Sequence, residues 1–113
     1  MLLAFLLPAL VLAQSYNETY PSNASYSDVT APYNQRFEWK PALVATPSDA
    51  AGVSAAVKSG HEQGIPVVAR SGGHSYVANG LGGEDGALVV DLRNLKDVTF
   101  NQNNTEVTLG TGQ

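Results

Sequence analysis

Apolar and polar positions divide the chain into stretches of different period. Residues 1–13 are almost wholly apolar, and residues 14–32 are rich in Ser, Asn, Tyr and Thr with no apolar repeat. Beyond residue 37 short apolar runs alternate with one amphipathic stretch. Ala42, Leu43, Val44 and Ala45 make a run suited to a buried strand. Thr46, Pro47 and Asp49 then read as a helix start, with an N-cap hydroxyl, proline at the first helical position and an acid at the third. Ala50, Val53, Ala56 and Val57 recur at helical spacing and predict one narrow apolar face. Gly60 and Gly64 lie at the end of that stretch, and Gly64 suits the left-handed stop. Pro66 opens a second strand over residues 67–70. Strand, helix and strand within about thirty residues predict a βαβ unit with a parallel pair and a right-handed crossover.

Further along, residues 79–86 form a loop with four glycines, and a third apolar strand over residues 87–90 ends at Asp91 and Leu92. Val98, Thr99 and Phe100, and then residues 106–109, flank a polar turn and predict a hairpin. Gly110, Thr111, Gly112 and Gln113 follow as a glycine loop after a strand. In open α/β sheets ligands sit beyond the carboxyl ends of strands. Arg70, Ser71, Gly72, Gly73, His74 and Ser75 stand in that place after the second strand. Glycines there let backbone N–H groups turn outward and approach a phosphate closely, and His74 adds a titratable, nucleophilic ring at the rim. Taken alone, the two glycines fit a tight turn as well as a phosphate cradle. Arg70 can carry charge to a phosphate or pair with an acid such as Asp91, and Asp91 suits a turn or a ligand contact equally. His61 reads as a solvated residue at a helix end, where a cation suits the dipole, and Trp39 as packing.

Length and composition narrow the class. A chain of 113 residues holds one domain at most. The apolar start is too short to span a bilayer, and Val11 and Ala13 fit the small-residue positions before a cleavage point at Ala13 and Gln14. Residues 1–13 therefore read as a secretory signal peptide, although they lack the usual positive charge. The triplets starting at Asn17, Asn23 and Asn103 are glycosylation sequons. Residues 14–36 are expected to be a polar, glycosylated leader that packs a few tyrosine rings onto the domain, with packed structure starting near Phe37 and filling residues 37–113. There is no cysteine, so no disulfide forms, and a net charge of −4 with scattered signs gives no basic patch. Nucleic acid and membrane are not expected as partners, and the expected location is extracellular.

Element order and loop residues together resemble the opening of a flavoprotein oxidase with a vanillyl-alcohol-oxidase-type (PCMH-type) FAD-binding domain. The branch that it resembles is that of the berberine-bridge-enzyme-like and glucooligosaccharide-oxidase-like proteins. The likeness rests on Tyr33 and Asn34; on Pro41 to Val44 with Pro47 and Ser48; on the Arg-Ser-Gly-Gly-His-Ser run from Arg70 to Ser75; on Leu88 to Leu92; and on Gly110, Thr111 and Gly112. It covers residues 33–113.

The resemblance implies an α+β fold, the N-terminal βαβ-type part of such a domain, incomplete at its C-terminus. It implies that residues 71–75 wrap the FAD pyrophosphate, that Gly110, Thr111 and Gly112 form a second loop near the cofactor, and that His74 bonds covalently to the flavin 8α carbon. The parent protein would oxidise an alcohol, a sugar or a secondary metabolite with dioxygen as acceptor. No residue here is read as its catalytic base. Relatives are several hundred residues long, so the chain is expected to be a fragment, inactive alone and prone to aggregate through exposed strand edges. The alternative is a truncated, non-catalytic secreted glycoprotein that binds nucleotides or is structural.

Overall fold

The computed structural model describes residues 15–113; the apolar segment read as a signal peptide, with its cleavage point, lies outside the described residues. In chain order the elements are β1 (Tyr16–Thr19), α1 (Tyr26–Val29), β2 (Leu43–Pro47), α2 (Ala50–Gln63), β3 (Val67–Arg70), β4 (Leu88–Asp91), β5 (Val98–Phe100) and β6 (Val107–Leu109). The first four strands form one sheet in the order β1-β2-β4-β3. β2, β4 and β3 run parallel, and β1 closes one side antiparallel to β2, with Tyr16 opposite Pro47 and Thr19 opposite Val44.

The strands that flank α2 do lie parallel in one sheet, yet they are not neighbours. β4 slots between them, pairing Val89 with Val44 on one side and with Val68 on the other. The reason is hydrophobic content. All four residues of β4 are buried, whereas β3 is only half-buried. A strand of Leu88, Val89 and Val90 needs cover on both faces and both edges, and each such side chain contributes about 1.5–3 kcal/mol when fully buried.

Helix α2 starts three residues later than its capping pattern predicts. Thr46 and Pro47 pair with Asn17 and Tyr16, so they stay extended as the end of β2. Asp49 is the N-cap, and its carboxylate accepts the Gly52 N–H at 2.7 Å. The helix ends as predicted, at Gly64 with φ +67°. Its inward face differs from the apolar count. Val57 is exposed, and the buried positions are Gly52, Ala56 and Gly60, one helical turn apart. Small residues bring the helix backbone close to the sheet; a Cβ at Gly60 would overlap a methyl of Val67.

The core gathers Tyr16, Leu43, Ala45, Ala56, Leu88 and Val90. Packed structure therefore begins at Tyr16 rather than near Phe37. β1 carries too few apolar residues to be read as a strand; its backbone pairing and one buried tyrosine hold it. Tyr26 adds a second anchor, its hydroxyl donating to the Pro41 carbonyl at 2.6 Å. The hairpin forms as predicted, with Phe100 opposite Val107 and a turn in which Asn101 Oδ1 accepts from Thr105 N–H at 2.9 Å.

Candidate cofactor-binding site

β3 and β4 end at the same edge, where the Leu92 N–H donates to the Arg70 carbonyl at 2.9 Å. Directly beyond, the chain turns away from the sheet through Ser71, Gly72 and Gly73. Gly73 adopts φ +75°, and a Cβ there would lie 2.8 Å from Arg70 Nη2. A side chain is excluded both by conformation and by space. A Cβ at Gly72 would lie 3.1 Å from the Gln113 carbonyl oxygen. Among the described residues, the N–H groups of Gly72, Gly73 and His74 donate to no backbone acceptor. They border an open groove of about 570 Å³ lined by residues 69–75, Gly80 and Gln113. Unpaired donors around glycines, at the carboxyl edge of parallel strands, fit an anionic pyrophosphate.

Arg70 supports the loop from below. Its guanidinium donates to the carbonyls of Val29 and Ala31, the latter at 2.7 Å, and lies 4.0 Å from Asp91 Oδ2. Burial pushes its pKa down, and the Asp91 charge works against that shift. Asp91 is fully buried and accepts from the Arg93 N–H at 3.1 Å and from Arg93 Nη2 at 2.6 Å, which holds the Arg93 pKa up. Of the two roles open to Asp91, the structure shows the turn former. Arg70 pairs with it while strapping residues 29–31 to the end of β3.

His74 lies exposed at the rim, its ring stacked on Tyr33 with centroids 4.6 Å apart and planes 19° from parallel. Tyr76 meets the same tyrosine edge-on at 5.8 Å, and Asn34 Nδ2 donates to the Tyr76 carbonyl at 2.7 Å. The Ser71 hydroxyl donates toward the carbonyls of Thr111 (2.5 Å) and Gln113 (3.1 Å), joining the two glycine loops. Ser75 Oγ accepts the Asn79 N–H at 3.2 Å and so starts the turn over Asn79–Leu81.

The predicted residues thus fall into two groups. Arg70 to Ser75 line the groove, and Thr111 is tied to it through Ser71. Gly110 and Gly112 press instead on the turn after β4, where Cβ atoms would overlap the Leu95 and Leu92 carbonyls. Gly112 also borders a smaller hollow of about 280 Å³ with Ser71, Gly72, Asp91, Arg93 and Lys96. The sequence placed Gly80 only in a flexible connection near the cofactor, Gln113 only at the end of a glycine loop, and Tyr33 only among the leader tyrosines that pack onto the domain. Tyr33 carried a signal as part of the matching Tyr33 and Asn34 pair, but nothing in the sequence places it against His74.

Residues 41–113 match the family described as FAD binding domain. The chain belongs to that family. It is 41% identical over 96 residues to a chitooligosaccharide oxidase of Gibberella zeae, an alignment that covers 85% of this chain and 19% of the relative. Its fold superposes on the BBE-like 1 protein of Physcomitrella patens with a TM-score of 0.84 at 33% identity, covering 88% of this chain and 21% of that one. The glucooligosaccharide oxidase of Acremonium strictum, described with a 6-S-cysteinyl, 8α-N1-histidyl FAD, matches with a TM-score of 0.80 at 31% identity, over 86% of this chain and 20% of that one. The chain therefore spans about a fifth of the length of these relatives. Its place among the berberine-bridge-enzyme-like and oligosaccharide oxidases, and FAD as the cofactor, follow from these matches together.

Proposed function

We propose that this chain is the FAD-anchoring portion of a secreted oxidase acting on oligosaccharides, with His74 as the covalent tether and dioxygen as the electron acceptor. The observation that carries the reading is the open groove at the end of β3, bordered by Gly72, Gly73 and His74, whose N–H groups donate to no backbone acceptor and are free for a pyrophosphate. His74 stands at its rim with an accessible ring, as a tether requires. The chitooligosaccharide, xylooligosaccharide and glucooligosaccharide oxidases among the relatives favour a carbohydrate substrate. The apolar residues 1–13 support secretion, and the exposed Asn17, Asn23 and Asn103 support glycosylation. FAD, when bound, would supply the hydride acceptor and the route by which two electrons reach dioxygen. The chain's own part is to hold the pyrophosphate on backbone donors and to keep the His74 ring at the groove edge.

The test uses the full-length gene product. After denaturation, flavin absorbance is expected to remain with the polypeptide, and to leave it in a His74→Ala variant unless a second bond holds it. Chitooligosaccharides, xylooligosaccharides and glucooligosaccharides are then offered in turn while hydrogen peroxide is followed. Flavin that separates from wild-type protein overturns the tether; peroxide from none of the three sugars overturns the substrate class.

A further inference from the structure

The ring of Tyr33 has no structural need to lie where it does. It is 54% exposed, belongs to no helix or strand, and makes no contribution to the core. Its position is nevertheless fixed from both sides. Upstream, the Arg70 guanidinium holds the Val29 and Ala31 carbonyls; downstream, Asn34 donates to the Tyr76 carbonyl. Arg70 and Tyr76 flank His74 in the sequence, so the two ends of the strap are fastened to the two ends of the cofactor loop. Tyr33 sits between these fastenings and lies flat on the His74 ring at 4.6 Å and 19°. Tyr76 meets the Tyr33 ring edge-on, with centroids 5.8 Å apart. Stacking of this kind favours one orientation of a ring that would otherwise rotate about two side-chain bonds.

We infer that Tyr33 is a positioning residue for flavin attachment: it sets the plane of the His74 imidazole so that a ring nitrogen faces the flavin 8α carbon. This rests on the reading of His74 as the tether. Attachment joins an imidazole nitrogen to that carbon while one C–H and one N–H bond break. Two electrons pass through the flavin to dioxygen, which takes up the two protons as well and becomes hydrogen peroxide. Reactions of this kind depend steeply on the approach of the reacting atoms, and a misplacement of about 1 Å costs on the order of a hundredfold in rate.

The experiment compares wild type, Tyr33→Phe and Tyr33→Leu in the full-length protein, prepared without flavin and then mixed with FAD in air. Occupancy of the His74-bearing peptide is followed by mass spectrometry, which separates this bond from any cysteine link. Non-covalent FAD binding is measured separately, by fluorescence quenching in a His74→Ala background. Tyr33→Leu is expected to slow attachment about ten- to hundredfold while FAD binding stays within about threefold, and Tyr33→Phe is expected to attach at close to the wild-type rate. Wild-type rate in Tyr33→Leu overturns the inference, and so does equal slowing in Tyr33→Phe, which would assign the effect to the hydroxyl. Because the ring is exposed, loss of folding is not expected. If Tyr33→Leu does fail to fold, the phenylalanine variant and a Tyr33→His variant, which keeps a flat ring, decide the matter: slow attachment in both overturns it. A wild-type His74 peptide without flavin sinks the tether itself, a result distinct from all of these.

Discussion

At the scale of single residues, the loop after β3 is shaped by what its glycines exclude. Gly73 has the left-handed backbone and the Arg70 guanidinium directly beneath it. Gly73→Ala would strain the backbone by about 1 kcal/mol and displace the guanidinium as well. In the full-length protein we expect a lower melting temperature together with FAD affinity weakened by about tenfold or more, since 1.4 kcal/mol corresponds to a factor of ten. Both are read by thermal melting with and without added FAD. Unchanged affinity would mean that the turn does not shape the cradle. The sequence shows the glycines and the histidine plainly, because their chemistry is local to one run of residues. It hides the commitments of Arg70, whose partners Val29 and Ala31 lie some forty positions away. It hides Tyr33 for the same reason: a stack between residues forty-one apart leaves no mark in either neighbourhood.

At the scale of elements, α2 packs through absence of side chains. Gly52, Ala56 and Gly60 form its buried line, and Gly60 faces Val67 with no room between. Gly60→Ala gains about 1 kcal/mol of helix propensity, yet overpacking of a close contact costs about 1–3 kcal/mol. The net expectation is destabilisation, seen as a lower denaturant midpoint. Val67→Ala in the same chain should recover part of it, and the double-mutant cycle should show coupling. Additive effects would mean that the helix simply shifts. Apolar counting points to Val57 and Ala50 because glycine carries no hydrophobic signal, although it permits the closest approach. The hairpin and the left-handed stop at Gly64 are legible, since turn chemistry is written in adjacent residues. The strand order is not, because pairing of β4 with both β2 and β3 depends on competition among three apolar runs. Burial on all sides decides that competition, and it is a property of the folded sheet.

Across the whole molecule, the hairpin leaves one apolar face uncovered. Val98, Phe100, Val107 and Leu109 lie on the same side of β5 and β6 by their register, and all four are about half exposed or more. A cluster of this kind on a soluble surface favours association. The polypeptide expressed on its own is expected to self-associate in sedimentation, and Phe100→Lys combined with Leu109→Lys is expected to shift it toward monomer. A monomeric parent would show that the face tolerates water.

The central place of β4 has a bearing on how the protein is made. β1 and β2 leave the ribosome first and are partners, whereas β3 follows with neither of them as its neighbour. β3 must wait for Leu88–Asp91, which arrives about twenty residues later and fills the gap between β2 and β3. Synthesis at roughly 5–20 residues per second makes this a pause of about a second or more, with β3 unpaired. Until it ends, Arg70 lacks Asp91 and the loop that carries His74 has nothing to stand on. The cradle for the cofactor cannot be complete before β4 has been made, so the order of synthesis sets the earliest point at which the site exists.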